Sequence, residues 1–252
     1  MAEQAAEPAH PAFYARSGGG LAQWWTLLHP PYTVWHLSYV VLGAAVVPEP
    51  DLGLLALTVL AFALAMGVGA HALDELNGRP LGTAISGRAL WSAAVVSVAT
   101  AVALGVLLAV RTSPVLWPLV VVGPVLVAGY NLELFGGRLH TLAGFALSWG
   151  AFPALTGYVA QDPSWDAVGA LAALAVATAA TLLSVAQRRL STPARDLRRR
   201  TTGVEGVLHG TDGSQTALDR GTLLAPFEGA LQALCWAVPL TAAGALVARL
   251  AG

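Results

Sequence analysis

Lysine is absent from this chain of 252 residues, cysteine occurs once, and only 11% of the residues are charged. An ordinary soluble domain is roughly a quarter charged, so a conventional soluble globule is excluded. All thirteen basic residues are therefore arginine, and fourteen acids bring the formal charge to −1. No global positive field exists to draw in nucleic acid, so no such partner is expected and any basic function is local. The lone Cys235 rules out an intramolecular disulfide and a cysteine-based zinc site. Residues 1–20 hold no apolar core, so no cleavable signal peptide is expected. They end in Ser17-Gly18-Gly19-Gly20, and 1–21 reads as a disordered cytoplasmic tail.

What the chain has in abundance is apolar residues, 56% of the total. A spanning helix needs about 20 of them in succession. Seven stretches approach or reach that length: 33–47, 53–70, 89–110, 114–130, 140–160, 165–187 and 227–250. The expected fold is all-α, a polytopic transmembrane bundle of seven to nine spans, most simply seven, forming a single domain over 22–252. Pro48 and Pro50 close the first span, Pro114 opens the fourth and Pro163 precedes the sixth. Trp24, Trp25, Trp91, Trp117 and Trp165 fall near span ends, as an interfacial aromatic belt requires, whereas Trp149 and Trp236 lie deeper and read as packing residues. With the N-terminus inside, eleven of the thirteen arginines fall on the inner side and only Arg111 and Arg249 on the outer. The excess of basic residues in cytoplasmic loops then places the N-terminus in the cytoplasm, in what is expected to be a bacterial cell membrane. The cytoplasmic loops 71–88 and 188–226 are longer and chemically richer than connectors need to be, so chemistry belongs at that end.

If the second span stays helical past residue 70, His71, Asp74 and Glu75 share one face at i, i+3 and i+4. Two acids beside an imidazole could bind a divalent cation, as magnesium sites for phosphate substrates do. A solvated helix end, stopped at Asn77-Gly78, explains the same residues equally well. The arginine run that begins at Arg188 could hold phosphate bidentately, or could anchor the bundle to anionic headgroups. Thr192-Pro193 has the form of an N-cap and first turn, predicting a short separate helix over 194–200 with Arg195, Arg198 and Arg199 on one face as a lid. Residues 201–226, with five glycines, read as a mobile loop. His36 reads as a hydrogen-bonded packing residue, Glu133 as the partner of an arginine, and Glu228 as a helix N-terminal acid.

The order Asp74, then Arg79-Pro80-Leu81, then Ser86-Gly87-Arg88 ahead of the third span resembles the UbiA-type intramembrane prenyltransferases. Those proteins are helical bundles whose second helix ends in an NDxxDxxxD motif followed by an RP-L stretch. WWTLLHPPYT (24–33) is similar to that family's lead into its first helix, and YNLELFGGRLHTLAGFALSWG (130–150) to the segment joining its fourth and fifth helices. The resemblance covers about residues 22–187. Set on the motif, Asp74 takes the second aspartate, Ala70 and His71 take the Asn-Asp pair, and Gly78 takes the last acid. Where the family carries DxxxD at the inner end of its sixth helix, this chain has Ser184 and Arg188.

The resemblance implies a membrane prenyltransferase that passes the prenyl group of an isoprenoid diphosphate to an acceptor, or cyclises it. It implies Asp74 and Glu75 as ligands of magnesium, a single ion sufficing. Asp74, His71 as ligand or base, and Tyr130 near the reacting carbon would be catalytic. Arg79, Arg138, Arg188, Arg189 and Arg195 would contact the diphosphate, Arg138 standing for a lysine of the family. Membrane lipid is the other expected partner. Loss of the second acidic cluster leaves open a non-catalytic lipid-binding or scaffold protein that keeps the bundle. A transporter fits less well, because no span interior carries an acid, arginine or lysine along a pathway.

Overall fold

The structure, a computed structural model, describes residues 12–161 and 165–252. Pro163 and the first eleven residues of the expected tail lie outside the described residues. A short amphipathic helix, α1 (Leu21–Leu28), turns through His29 at φ 45° into α2 (Pro30–Ala45). Pro30 and Pro31 fill the first turn of α2, where a missing N–H leaves no bond unmade. Six further helices are long and apolar enough to cross a membrane: α3 (Leu52–Leu76), α4 (Gly87–Arg111), α5 (Pro114–Asn131), α6 (Leu142–Val159), α7 (Ala167–Arg199) and α8 (Arg220–Ala251). The result is an all-helical polytopic bundle with one small antiparallel hairpin, β1 (Gly206–His209) and β2 (Gln215–Leu218), between α7 and α8.

Polar punctuation starts these helices. Asp51, Ser86, Thr141, Asp166 and Asp219 each accept a first-turn backbone N–H, at 2.6–3.2 Å. At one end of the bundle the helices overrun the expected spans: α3 reaches residue 76, α7 reaches 199, and α8 starts at 220. These turns are polar on one face, so mean hydropathy falls before the helix does. Thr192-Pro193 does not begin a separate helix, because Pro193 lies inside α7. One backbone bond is lost there, but Ala194 is fully buried and Arg198 reaches Glu228 on α8 at 2.6 Å, which holds the helix in line. The expected mobile loop is likewise shortened by the hairpin and by the Asp219-capped start of α8.

At the centre, α2 packs against α6 and α8, burying Trp35, Tyr39 and Val40 completely. A Cβ added at Gly43 would lie 1.9 Å from the Ala154 carbonyl oxygen, and one at Gly157 would lie 2.1 Å from that of Val40. Glycine at both positions is what lets α2 and α6 touch backbone to backbone. The outer surface is apolar: Val95, Val96, Val121, Leu171 and Leu182 are all exposed, a belt that lipid would solvate. Trp236 belongs to this belt, 73% exposed, and is not a packing residue, whereas Trp149 is buried.

The turns at 77–86 and 132–141, the α7–α8 connection and α1 gather at one end of the bundle, tied by bonds such as Arg199 to the Pro80 carbonyl and Asn77 to the Asn131 carbonyl. The described part of the tail lies against this end: Phe13 packs beside the Trp35–Tyr39 cluster, and the Trp25 indole donates to the Tyr14 carbonyl at 3.0 Å.

Candidate functional site

Inner turns of α2, α3, α5, α6 and α7 enclose a cavity of about 220 Å³ at this polar end. One wall is α7. Because that helix is continuous, Gln187, Arg188, Ser191, Arg195 and Arg198 form a single stripe along it, and all of them, with Arg199, line the cavity. The Arg188 guanidinium lies over the Phe145 ring, 5.2 Å from its centroid. Arg198 is neutralised by Glu228, which is its ion-pair partner and not simply a helix-terminal acid. Arg199 spends one donor on the Pro80 carbonyl at 2.6 Å.

The facing wall comes from α3, where His71 and Asp74 line the cavity. Asp74 has His71, His140 and Arg195 as favourable electrostatic neighbours. Glu75 departs from its expected role as a metal ligand. It is fully buried, one oxygen accepts from Thr83 N and Oγ1 at 2.8 and 2.9 Å, and the other accepts from Leu81 N at 2.9 Å. Arg79, expected at the diphosphate, donates to the Thr83 and Ile85 carbonyls at 3.1 and 2.6 Å and holds the same loop. Arg138 and Arg189 are exposed and do not line the cavity. Glu133 approaches His140 at 3.9 Å instead of an arginine.

Imidazoles dominate the remaining surface. His36, His71 and His140 each place Nδ1 on a carbonyl, of Trp149, Gly67 and Tyr130, at 2.8, 2.8 and 3.1 Å. A carbonyl only accepts, so Nδ1 carries a proton in each. His29 bonds the Tyr14 hydroxyl through Nδ1. Burial, then His71, Arg199 and Arg198, hold His29 well below the usual histidine range, so it is neutral. Burial also pushes the Tyr14 hydroxyl up to about 12. Tyr130 stacks on His140, centroids 4.6 Å apart. Arg195 Nε is buried on this wall without a hydrogen-bond partner, the state of a group built to meet a ligand, and the Arg188 guanidinium lies at the Tyr130 hydroxyl.

A magnesium ion fits this donor set poorly. Among the described residues no three His, Cys, Asp or Glu side chains are grouped to hold a metal, and Asp74 is the only carboxylate on the cavity wall. Magnesium takes oxygen ligands, and neutral imidazoles do not replace them.

Deeper in the bundle an apolar groove of about 90 Å³ runs between α3, α4, α5 and α6, past Phe62, Val98, Gly105 and Val127. Met66 and Trp149 line both the groove and the polar cavity. Each sits in a π-helical turn, Ala63–Ala70 of α3 and Leu147–Ala151 of α6, a local widening frequent at functional sites.

The structure thus brings together Asp74, His71, Tyr130, Arg188 and Arg195, and sets aside Glu75, Arg79, Arg138 and Arg189. Sequence reasoning overlooks Tyr14, His29 and Gln187 as wall residues. The available signals were a histidine directly ahead of Pro30-Pro31 and a glutamine next to Arg188 at the end of an apolar span. Compared with protein-family models, curated proteins and solved structures, this chain has no match.

Proposed function

We propose that this chain is a UbiA-type membrane prenyltransferase, which binds an isoprenoid diphosphate and transfers its prenyl group to an acceptor or cyclises it. The observation that carries the reading is that Met66 and Trp149 line both the arginine-lined chamber and the apolar groove, which places the two side by side. A ligand with an anionic head and a hydrocarbon tail matches both halves. In this reading α2 is a seventh span, and the arginine-rich end, with the N-terminus, faces the cytoplasm of a bacterial cell.

The chemistry follows from the side chains on the wall. The allylic carbon–oxygen bond breaks, its electron pair leaves with the diphosphate, and the guanidinium groups of Arg188, Arg195 and Arg199 stabilise the leaving charge. Tyr130 and Trp149, edge to face at 5.6 Å, offer aromatic faces to the carbocation. The acceptor forms the new bond and releases a proton to His71 Nε2, and Asp74 stabilises the resulting imidazolium.

The test is release of diphosphate by the purified protein in lipid nanodiscs, supplied with isoprenoid diphosphates of increasing chain length. Release is expected, and Asp74→Ala is expected to abolish it while the melting temperature holds. No release at any chain length, or full release by the variant, overturns the reading. A second reading, a lipid-binding bundle without turnover, is favoured by the single carboxylate that the described residues place on the wall. Tight binding with no release supports it.

A further inference from the structure

We propose that this cavity holds its diphosphate through guanidinium groups directly, with no divalent metal between protein and ligand. The inference rests on the proposed reading of the cavity as an isoprenoid diphosphate site, and it adds how the headgroup is held.

Charge balance is the first argument. Among the described residues Arg188, Arg195 and Arg199 face the cavity against Asp74 alone, since Arg198 is paired with Glu228 and Glu75 is spent on backbone amides. A chamber with this surplus repels a cation and attracts a multiply charged anion. The second argument is donor geometry. Arg195 Nε is a buried hydrogen-bond donor without a partner, on a cavity-lining side chain. Burying an unsatisfied donor is costly, and one placed beside this chamber is explained by an acceptor-rich ligand. Arg188, seated on the Phe145 ring, presents a planar fork of the kind that binds phosphate oxygens in pairs. A divalent metal would need several oxygen ligands from this wall. Among the described residues Asp74 is the only anionic oxygen donor on this wall, and Arg195 is already its neighbour.

The direct test is binding of farnesyl thiodiphosphate, which resists ionisation, to the full chain in phosphatidylcholine nanodiscs. It is measured by titration calorimetry in EDTA and again in excess magnesium. Affinity is expected to agree within a few-fold in the two buffers. Arg188→Gln and Arg195→Gln should each weaken binding about tenfold or more. Arg188→Lys, which keeps the charge and loses the fork, should fall between wild type and Arg188→Gln. Arg189→Gln, one residue along but outside the cavity, should bind as wild type does. Binding seen only with magnesium, or unaffected by both glutamine variants, overturns the metal-free clamp and leaves the diphosphate site standing. Absence of binding in either buffer removes the site itself, and the clamp with it.

Discussion

Asp74 and Glu75 are adjacent carboxylates at the end of one helix, and the fold gives them unrelated work. Glu75 satisfies two loop amides and a hydroxyl from a fully buried position, while Asp74 faces the cavity. Glu75→Ala would leave those donors unpaired and cost roughly 3 kcal/mol. It is expected to lower the melting temperature markedly, whereas Asp74→Asn leaves melting close to wild type and removes turnover. Equal shifts in a detergent melting assay would contradict this division. Helical spacing places both acids at the inner end, but Glu75's partners lie six and eight residues on. Their position depends on a turn that passes through Arg79 at φ 53° and Gly82 at φ 65°, which no local pattern specifies. His29 carries a pH dependence. Its value in the fold lies well below the usual 6.5, so the unfolded chain binds the proton more readily. Its contribution to stability is therefore complete above pH 6.5 and is lost as pH falls toward the folded value. His29→Gln should flatten the decline in melting temperature on acidification from about pH 7.5 to 5. An unchanged slope would show that His29 is not the titrating group.

At the level of elements, the site depends on α7 running unbroken through Pro193. Thr192-Pro193 reads locally as a helix start, and the packing of Ala194 and the Arg198–Glu228 pair override that reading. One alanine inserted between Leu190 and Ser191 would turn everything beyond it by about 100°. Arg195 and Arg199 would leave the cavity and Arg198 would take the place of Arg199, while Arg188 stayed. Binding of farnesyl thiodiphosphate should then fall as far as in Arg195→Gln or further. A hinged, independent lid would tolerate the insertion with little loss. The α2–α6 contact is equally exacting, because Gly43 and Gly157 each have a carbonyl oxygen where a Cβ would go. Gly157→Ala should destabilise by about 1–3 kcal/mol, since the helices must separate to admit the methyl group. Thermal unfolding in detergent checks it, and a neutral result would mean that the two backbones are not in contact. Six of the seven expected spans were legible in the sequence because hydropathy marks them directly, whereas 33–47 falls mainly in α2, which is not among the helices long and apolar enough to cross. The glycine crossing was not legible, because it depends on which helices meet.

For the whole molecule, the question is which way the bundle sits. Apolar side chains cover its outside, so orientation is decided at the ends. There the arginines divide eleven to two, with Arg249 reaching the Ala45 carbonyl at the sparse end, 3.2 Å away. Each arginine near an anionic cytoplasmic surface contributes roughly 1 kcal/mol, so an imbalance this large outweighs the local preferences of any one loop. The bundle should insert with the cavity mouth toward the cytoplasm, where water-soluble diphosphate can leave. Cys235, the only cysteine in the chain, is buried and should stay silent toward a membrane-impermeant maleimide. Glu49→Cys and Arg200→Cys, both at exposed positions on opposite ends, then report the two sides. In intact cells the maleimide should label Glu49→Cys and spare Arg200→Cys, and in inside-out vesicles the pattern should reverse. Labelling of Arg200→Cys in intact cells would turn the molecule over and place the arginine chamber outside, where the proposed cytoplasmic reaction could not occur.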